Sequence, residues 1–322
     1  MIPDEILITA PMLPTVISQL GERFQTHHLW EVSDKQAFLR EIGPRIRGVA
    51  TSTLYGRVGE DLLGHLPHAE IIASFGVGYD NIDVDAALAH RVVVTNTPGV
   101  LTEETADLAL GLLLATIRQI PAAERHLRAG KWLERSFPLS ASLRGRRVGI
   151  LGLGDIGKAV ARRLEGFAVD IAYCGRRPQD VPYAYYPTPL ALAEAVDVLI
   201  VLIPGGAATR HTVNGAVLEA LGPNGVLINV ARGSVIDTQA LIAALREGKI
   251  LTAGLDVFED EPRVPQELID HPGLVLLPHI GSASVQTRAA MGQLVVDNLV
   301  SWFSGKGALT PVAEVMGILA GV

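Results

Sequence analysis

At 322 residues, 48% of them hydrophobic and 19% charged, the chain is long enough for two globular domains. Its net charge of -7, with no Lys/Arg block, argues against nucleic acid as a partner. The one cysteine, Cys174, cannot close an intramolecular disulfide, so a reducing cytoplasm is the expected setting. The opening MIPDEILITAPML lacks the basic start and small-residue cleavage site of a secretory leader. The longest apolar run, LALGLLLAT, falls well short of the roughly 20 residues that cross a bilayer and reads as a buried helix. No membrane span is expected, and no metal either, because the histidines do not pair at ligand spacing.

From Glu5 short β-like runs alternate with helical stretches: EILIT, a helix over 12–22, FQTHHLW, a helix over 34–42, then RGVAT. That rhythm implies a parallel sheet covered on both faces. After a helical stretch over 59–66 come AEIIASFGVGYDNID and RVVVTNTPG. Their Gly76, Gly78, Pro98 and Gly99 stand after strands, where open α/β sheets place ligand loops, although glycines also serve plain turns. A long helix over 103–117, extending past Pro121 as a second helix to Ala129, carries the chain into a fresh strand series: RVGILGLG, VDIAYCG, VDVLIVLIP, GVLINVA, LTAGLDVF and LVLLPHI. Six β-like segments around one glycine turn make a complete doubly wound nucleotide domain. The stretch 285–304 is again helical and amphipathic, and is too short to be a domain of its own.

The centre of this organisation is VGILGLGDIG, an apolar run breaking into a glycine turn that continues as the amphipathic KAVARRLEGF. Gly152 permits the tight turn, Gly154 lets a pyrophosphate approach the backbone, and Gly157 lets helix and strand pack closely. The phosphates would lie on the helix N-terminus, where free N–H groups and the dipole favour an anion.

GLGDIG, NVARGSVID, AGLDVFEDEP and PHIGSAS, in that order and spacing, resemble the D-2-hydroxyacid dehydrogenase family. The likeness runs from about SFGVGYDNID to TPV; the first 70 residues match only in rhythm. It implies an α/β protein of two doubly wound parallel-sheet domains, a Rossmann nucleotide-binding domain inserted in a flavodoxin-like substrate domain. The expected boundaries are 1–100 with 285–322 for the substrate domain and 101–284 for the NAD(P) domain. It also implies NAD(P)-dependent interconversion of a 2-oxo acid and a D-2-hydroxy acid, and a homodimer formed largely through the nucleotide domains.

Hydride arriving at a 2-oxo carbon creates an alkoxide, so the site needs a proton donor, a cation for the carboxylate and a fixed nicotinamide. By resemblance Arg232, Glu261 and His279 take the catalytic tasks. Arg232 offers a planar fork to the substrate carboxylate and carbonyl, His279 delivers the proton, and Glu261 orients the imidazole and favours its charged form. The resemblance further assigns backbone N–H groups of Val77 and Gly78 to the substrate carboxylate and Asp256 to the nicotinamide amide. It places Gly152, Leu153, Gly154, Asp155, Ile156, Gly157, Pro204, Thr209, Val230, Ala231, Arg232, His279 and Gly281 along the cofactor. The GGAA beside Pro204 departs from the family's more polar loop. His271 has no motif support and reads as a surface loop residue.

An acidic residue about 20 positions past the glycines marks a 2′-hydroxyl site, and an arginine there a 2′-phosphate site. This chain reads VDIAYCGRRP, so Gly175, Arg176 and Arg177 predict NADPH, with NADH a weaker alternative. The GRRP turn, SFGVGYDNID and PHIGSAS are most similar to the glyoxylate/hydroxypyruvate reductase branch, hydroxyphenylpyruvate reductases included. Leu54, Tyr55, Phe75 and, from a partner subunit, Trp132 or Phe137 are candidates for setting substrate size, with core or dimer packing as their other reading. Two rival functions stay open: oxidation of formate or phosphite, which the glutamate at 261 argues against because formate dehydrogenases of the family carry glutamine there, and a dinucleotide-sensing regulator like the C-terminal-binding corepressors.

Overall fold

The computed structural model describes residues 4–53 and 56–319, which divide into two compact units, 1–101 with 284–322 and 102–283. In the first unit the elements run β1 (Glu5–Ile8), α1 (Pro14–Gly21), β2 (Gln25–His28), α2 (Lys35–Ile42), β3 (Ile46–Ser52), α3 (Glu60–Leu63), β4 (Ile71–Phe75), α4 (Val84–Ala89) and β5 (Val93–Thr95). The strands pair in parallel in the order β2-β1-β3-β4-β5, the flavodoxin-like arrangement. A parallel sheet covered on both faces needs apolar residues at successive positions, and EILI and IIASF are buried throughout. Helix starts follow capping chemistry: Asp34 accepts the Ala37 N–H at 2.9 Å and Asp83 the Ala86 N–H at 3.0 Å.

The second unit opens with α5 (Thr102–Ile117) and α6 (Ile120–Arg128), then β6 (Arg147–Leu151), α7 (Asp155–Glu165), β7 (Asp170–Cys174), β8 (Ala184–Tyr186), α8 (Pro189–Glu194) and β9 (Val198–Val201). It continues with α9 (Gly215–Leu221), β10 (Val226–Asn229), α10 (Thr238–Arg246), β11 (Thr252–Leu255), α11 (Gln266–Ile269) and β12 (Val275–Leu276). The seven-stranded parallel sheet has the order β12-β11-β10-β9-β6-β7-β8. Counted within the unit that is the Rossmann order with one strand added beyond the sixth, and its switch point falls at β6, directly before the glycine turn. The last long helix, α12 (Val285–Phe303), belongs to the first unit and packs on β4 and α1. Gly292 permits that approach, since a Cβ there would stand 2.4 Å from the Val16 Cγ2.

The two helices expected over 103–129 are present as α5 and α6; the chain turns between them at Gln119, whose φ of 54° is left-handed, and they meet at 59° with Pro121 in the first turn of α6. One local difference from the sequence expectation has a physical cause. An extra edge strand, β8, lies beside β7 although AYY between two prolines shows no alternation. Among the described residues no single helix is long and apolar enough to cross a membrane. The LALGLLLAT run lies in α5, where Ala109, Leu110, Leu112, Leu113 and Thr116 are buried.

Candidate active site

The glycine turn follows β6 as its sequence requires. Gly152 has φ 105° and a Cβ there would stand 2.9 Å from the Leu202 carbonyl, while a Cβ on Gly157 would stand 2.2 Å from the Gly152 oxygen. At this point helix and strand approach backbone to backbone. Gly154 sits at the N-cap of the 11-residue α7 with no side-chain cap, and nothing lies within 4 Å of where its Cβ would be. A helix start with unspent N–H groups and open space above it fits a dinucleotide pyrophosphate. Leu153 is buried while Asp155 is exposed and Ile156 half-buried. Gln179, which carried no sequence signal, ties the turn down by donating to the Leu153 carbonyl at 2.8 Å.

At the end of β7 the chain passes through Gly175, whose carbonyl accepts the Tyr185 hydroxyl at 3.3 Å, into exposed Arg176 and Arg177. Neither arginine has a hydrogen bond or ion pair among the described residues, so both keep their full donor sets for an anion. Beyond β9, Pro204 is exposed and its carbonyl accepts the Thr209 hydroxyl at 2.7 Å, closing the loop on itself.

The three residues assigned to chemistry lie on loops that follow β10, β11 and β12. Asn229, wholly buried at the end of β10, accepts the Ala231 N–H at 3.0 Å and donates to the Arg232 carbonyl at 2.9 Å, which shapes the Val230–Ala231–Arg232 turn. Gly233 backs onto the next loop so closely that a Cβ would stand 1.9 Å from the Phe258 carbonyl carbon. In that loop Glu261 accepts the Phe258 N–H at 2.9 Å through Oε1 and meets His279 Nδ1 at 2.7 Å through Oε2. Burial pushes the Glu261 carboxyl upward, but the His279 hydrogen bond and charge, the Phe258 N–H and the Arg232 charge outweigh it and hold the group below the usual carboxylate range.

His279 has a φ of 55°, a left-handed conformation uncommon for a residue with a side chain. Asp256 holds it there. Its carbonyl accepts the His279 N–H at 2.8 Å and its carboxylate accepts those of Ile280 at 2.7 Å and Gly281 at 2.8 Å. At 1% exposure Asp256 is among the most buried charged side chains described, and that burial raises its pKa against the lowering effect of the two amides and of His279. Asn229, Gly233 and Gln179 were not candidates from sequence; Asn229 and Gly233 lie inside NVARGSVID, which is the signal that could have found them.

In the first unit Gly76, at φ 153°, begins the loop after β4 and would clash with Thr53 if it carried a Cβ. Val77 and Gly78 are half-buried, and the Val77 carbonyl accepts the Asn96 amide at 2.9 Å. Phe75 is 6% exposed and packs under Arg288 at 5.6 Å, so it sits in the core of its unit. Leu54 and Tyr55 lie outside the described residues. Trp132 is 67% exposed and Phe137 meets His126 edge-on at 5.5 Å.

A nucleotide-binding α/β unit bearing a carboxylate–histidine pair and an arginine at its strand ends defines a pyridine-nucleotide dehydrogenase in class. The model of the D-isomer specific 2-hydroxyacid dehydrogenase NAD-binding domain matches residues 110–281. The chain is 46% identical over 308 residues to glyoxylate/hydroxypyruvate reductase A of Arabidopsis thaliana, covering 95% of this chain and 98% of that one. It is 44% identical to hydroxyphenylpyruvate reductase of Plectranthus scutellarioides at the same coverage. Among solved structures it is similar to the NADPH-dependent glyoxylate/hydroxypyruvate reductase of Sinorhizobium meliloti in complex with NADP and malonate, with TM-score 0.91, 51% identity and 98% of each chain covered. The chain belongs to the D-isomer specific 2-hydroxyacid dehydrogenases, in the glyoxylate/hydroxypyruvate reductase branch.

Proposed function

We propose that this protein reduces a small 2-oxo acid of the glyoxylate or hydroxypyruvate kind to its D-2-hydroxy acid, using NADPH. The observation that carries the reading is the 2.7 Å contact between Glu261 and His279 beside the charge of Arg232. An ionised Glu261 can only accept, so His279 must donate from Nδ1 and is left to exchange its other proton at Nε2. That proton goes to the substrate oxygen as negative charge forms on it, while Arg232 meets the carboxylate and the same oxygen with parallel N–H donors. Bound NADPH supplies the hydride, its pyrophosphate held at 152–157 and its 2′-phosphate by Arg176 and Arg177. Pro204, Thr209, Val230, Ala231, Asp256 and Gly281 are proposed along the rest of the cofactor, and the Val77 and Gly78 amides on the substrate carboxylate.

The protein is further proposed to be a cytoplasmic homodimer, residues 1–100 with 285–322 forming its substrate domain and 101–284 its cofactor domain. Support for the dimer comes from the large apolar side chains left exposed between Ile120 and Leu139. A panel of 2-oxo acids assayed with NADPH and with NADH tests the reading. Rapid turnover of glyoxylate or hydroxypyruvate with a preference for NADPH is expected; equal use of the two cofactors removes the role of the arginines, and no turnover with any 2-oxo acid removes the reading.

A further inference from the structure

The mechanism leaves unused a polar cluster behind the catalytic loops. Glu259 lies in the same short loop as Glu261 but has a different set of partners. Its Oε1 accepts Arg210 Nη2 at 2.5 Å and meets His211 Nε2 at 2.9 Å, and its Oε2 accepts the Thr238 hydroxyl at 3.0 Å. These three partners come from two other segments. Arg210 and His211 directly follow Thr209, on the loop that runs along the cofactor. Thr238 opens α10, just past the turn that begins at Arg232.

The two partner segments are also stitched to each other. His211 N–H donates to the Ser234 carbonyl at 2.9 Å, Val213 N–H to Val235 at 3.0 Å, and Asp237 N–H to Val213 at 3.0 Å. His211 takes a left-handed φ of 52° to reach both Ser234 and Glu259. Glu259 fastens this pair of segments to the Glu261 loop by side-chain hydrogen bonds, and its burial, which opposes ionisation, is outweighed by His211, Thr238 and Arg210, so the carboxylate stays charged. Close packing joins part of this contact, where Gly233 backs onto Phe258. A cavity of about 350 Å³ opens between the segments, lined by Ile236, Leu241, Leu255 and Val257 on its apolar side and by Thr238 and Glu259 among the polar ones. Beside that cavity the Glu259 hydrogen bonds add to the Gly233–Phe258 contact in aligning the three segments.

We propose that Glu259 is a positioning residue for the reduction: its carboxylate clamps the cofactor loop and the Arg232 turn to the loop that carries Glu261, and so sets the register of Arg232, of the Glu261–His279 pair and of the cofactor against one another. The inference rests on the function proposed above. It does not depend on which 2-oxo acid is used.

The clamp works through accepted hydrogen bonds, which glutamine at the same position largely reproduces and alanine abolishes. Glu259→Ala and Glu259→Gln are therefore compared with the unmodified protein, using NADPH fluorescence titration to count competent sites and hydroxypyruvate reduction for kcat per competent site. For Glu259→Ala the expected result is a fall in kcat of roughly 10- to 100-fold and a several-fold rise in the NADPH dissociation constant, in protein whose circular dichroism is unchanged. For Glu259→Gln both values return to within about threefold of the unmodified protein. A role in stability alone would lower the melting midpoint and the number of competent sites while leaving kcat per site and the NADPH constant within about twofold, and that result overturns the proposal. A glutamine variant as impaired as the alanine variant also overturns it. Absence of hydroxypyruvate and glyoxylate turnover in the unmodified protein would instead count against the function itself, so the two failures are told apart.

Discussion

Glu261 and Asp256 are driven in opposite directions by their surroundings: burial raises Asp256, while the His279 contact and the Arg232 charge bring Glu261 down against its own burial. Separating two carboxyls in this way assigns them different tasks, one held ionised as the partner of an imidazole and one committed to two backbone amides. The sign of the pH effect follows. A carboxyl whose folded pKa lies below its ordinary 4.5 contributes stability that is whole above that pH and is lost as pH falls through the folded value. Glu261→Gln should flatten the acid limb of stability below about pH 4.5, cost on the order of 1 kcal/mol at neutral pH, and lower kcat roughly 100-fold. Urea titrations at several pH values with matched kinetics check this, and an unchanged acid limb would contradict it. Arg176→Ala belongs to the same scale. Losing a charge-assisted contact to a 2′-phosphate costs about 1.5–3 kcal/mol, so NADPH should bind roughly 10- to 100-fold more weakly and NADH almost as before; equal losses for both cofactors would sink the assignment. Arg232, Glu261 and His279 could be singled out from the sequence because each stands in a motif that resembles the family's, and the structure brings Glu261 and His279 into contact at 2.7 Å. Gln179 and Glu259 could not be, because their partners Leu153, Arg210 and Thr238 are brought to them only by the fold, whereas Asn229 shapes its own turn within NVARGSVID.

At the scale of elements the glycine turn carries the sharpest expectation. The Gly157 Cα approaches the Gly152 carbonyl so closely that an alanine methyl would stand 2.2 Å from its oxygen, and no flexible side chain is there to give way. Gly157→Ala must push α7 away from β6, which moves the helix N-terminus off the phosphate position. Overpacking of this kind costs roughly 1–3 kcal/mol, and NADPH affinity should fall by about tenfold or more. A melting curve and a fluorescence titration measure the two effects, and wild-type values in both would show that the contact is softer than its geometry implies. Apolar runs and glycine punctuation were enough to find β6, β7, β9, β10, β11 and the Rossmann order they belong to. The short edge strand β8 escaped because AYY, half-exposed and flanked by Pro182 and Pro187, lacks the buried apolar run that marked the central strands. The break between α5 and α6 was readable only as far as Pro121; the left-handed Gln119 that turns the chain has no composition signal.

At the scale of the whole molecule an exposed apolar stretch bears on how many chains act together. Ile120, Leu127, Trp132, Leu133 and Leu139 all exceed half exposure, and Leu133 and Leu139 at 95% and 102% are as accessible as in an extended peptide. Scattered exposed leucines need no explanation, but five large apolar side chains within one stretch support the proposal that a second copy covers this surface. Each such side chain contributes about 1.5–3 kcal/mol when buried, enough for a few of them to hold an interface of the usual area of roughly 800 Å² per partner. Trp132→Glu combined with Leu133→Glu places two charges in that face and should convert a dimer to monomers by sedimentation velocity, with the melting midpoint of the separated chain lowered and made independent of protein concentration. If the paired substitution leaves the sedimentation coefficient at the dimer value, the stretch from Ile120 to Leu139 is not the contact surface; if the unmodified protein already sediments as a monomer at micromolar concentration, the dimer itself is wrong.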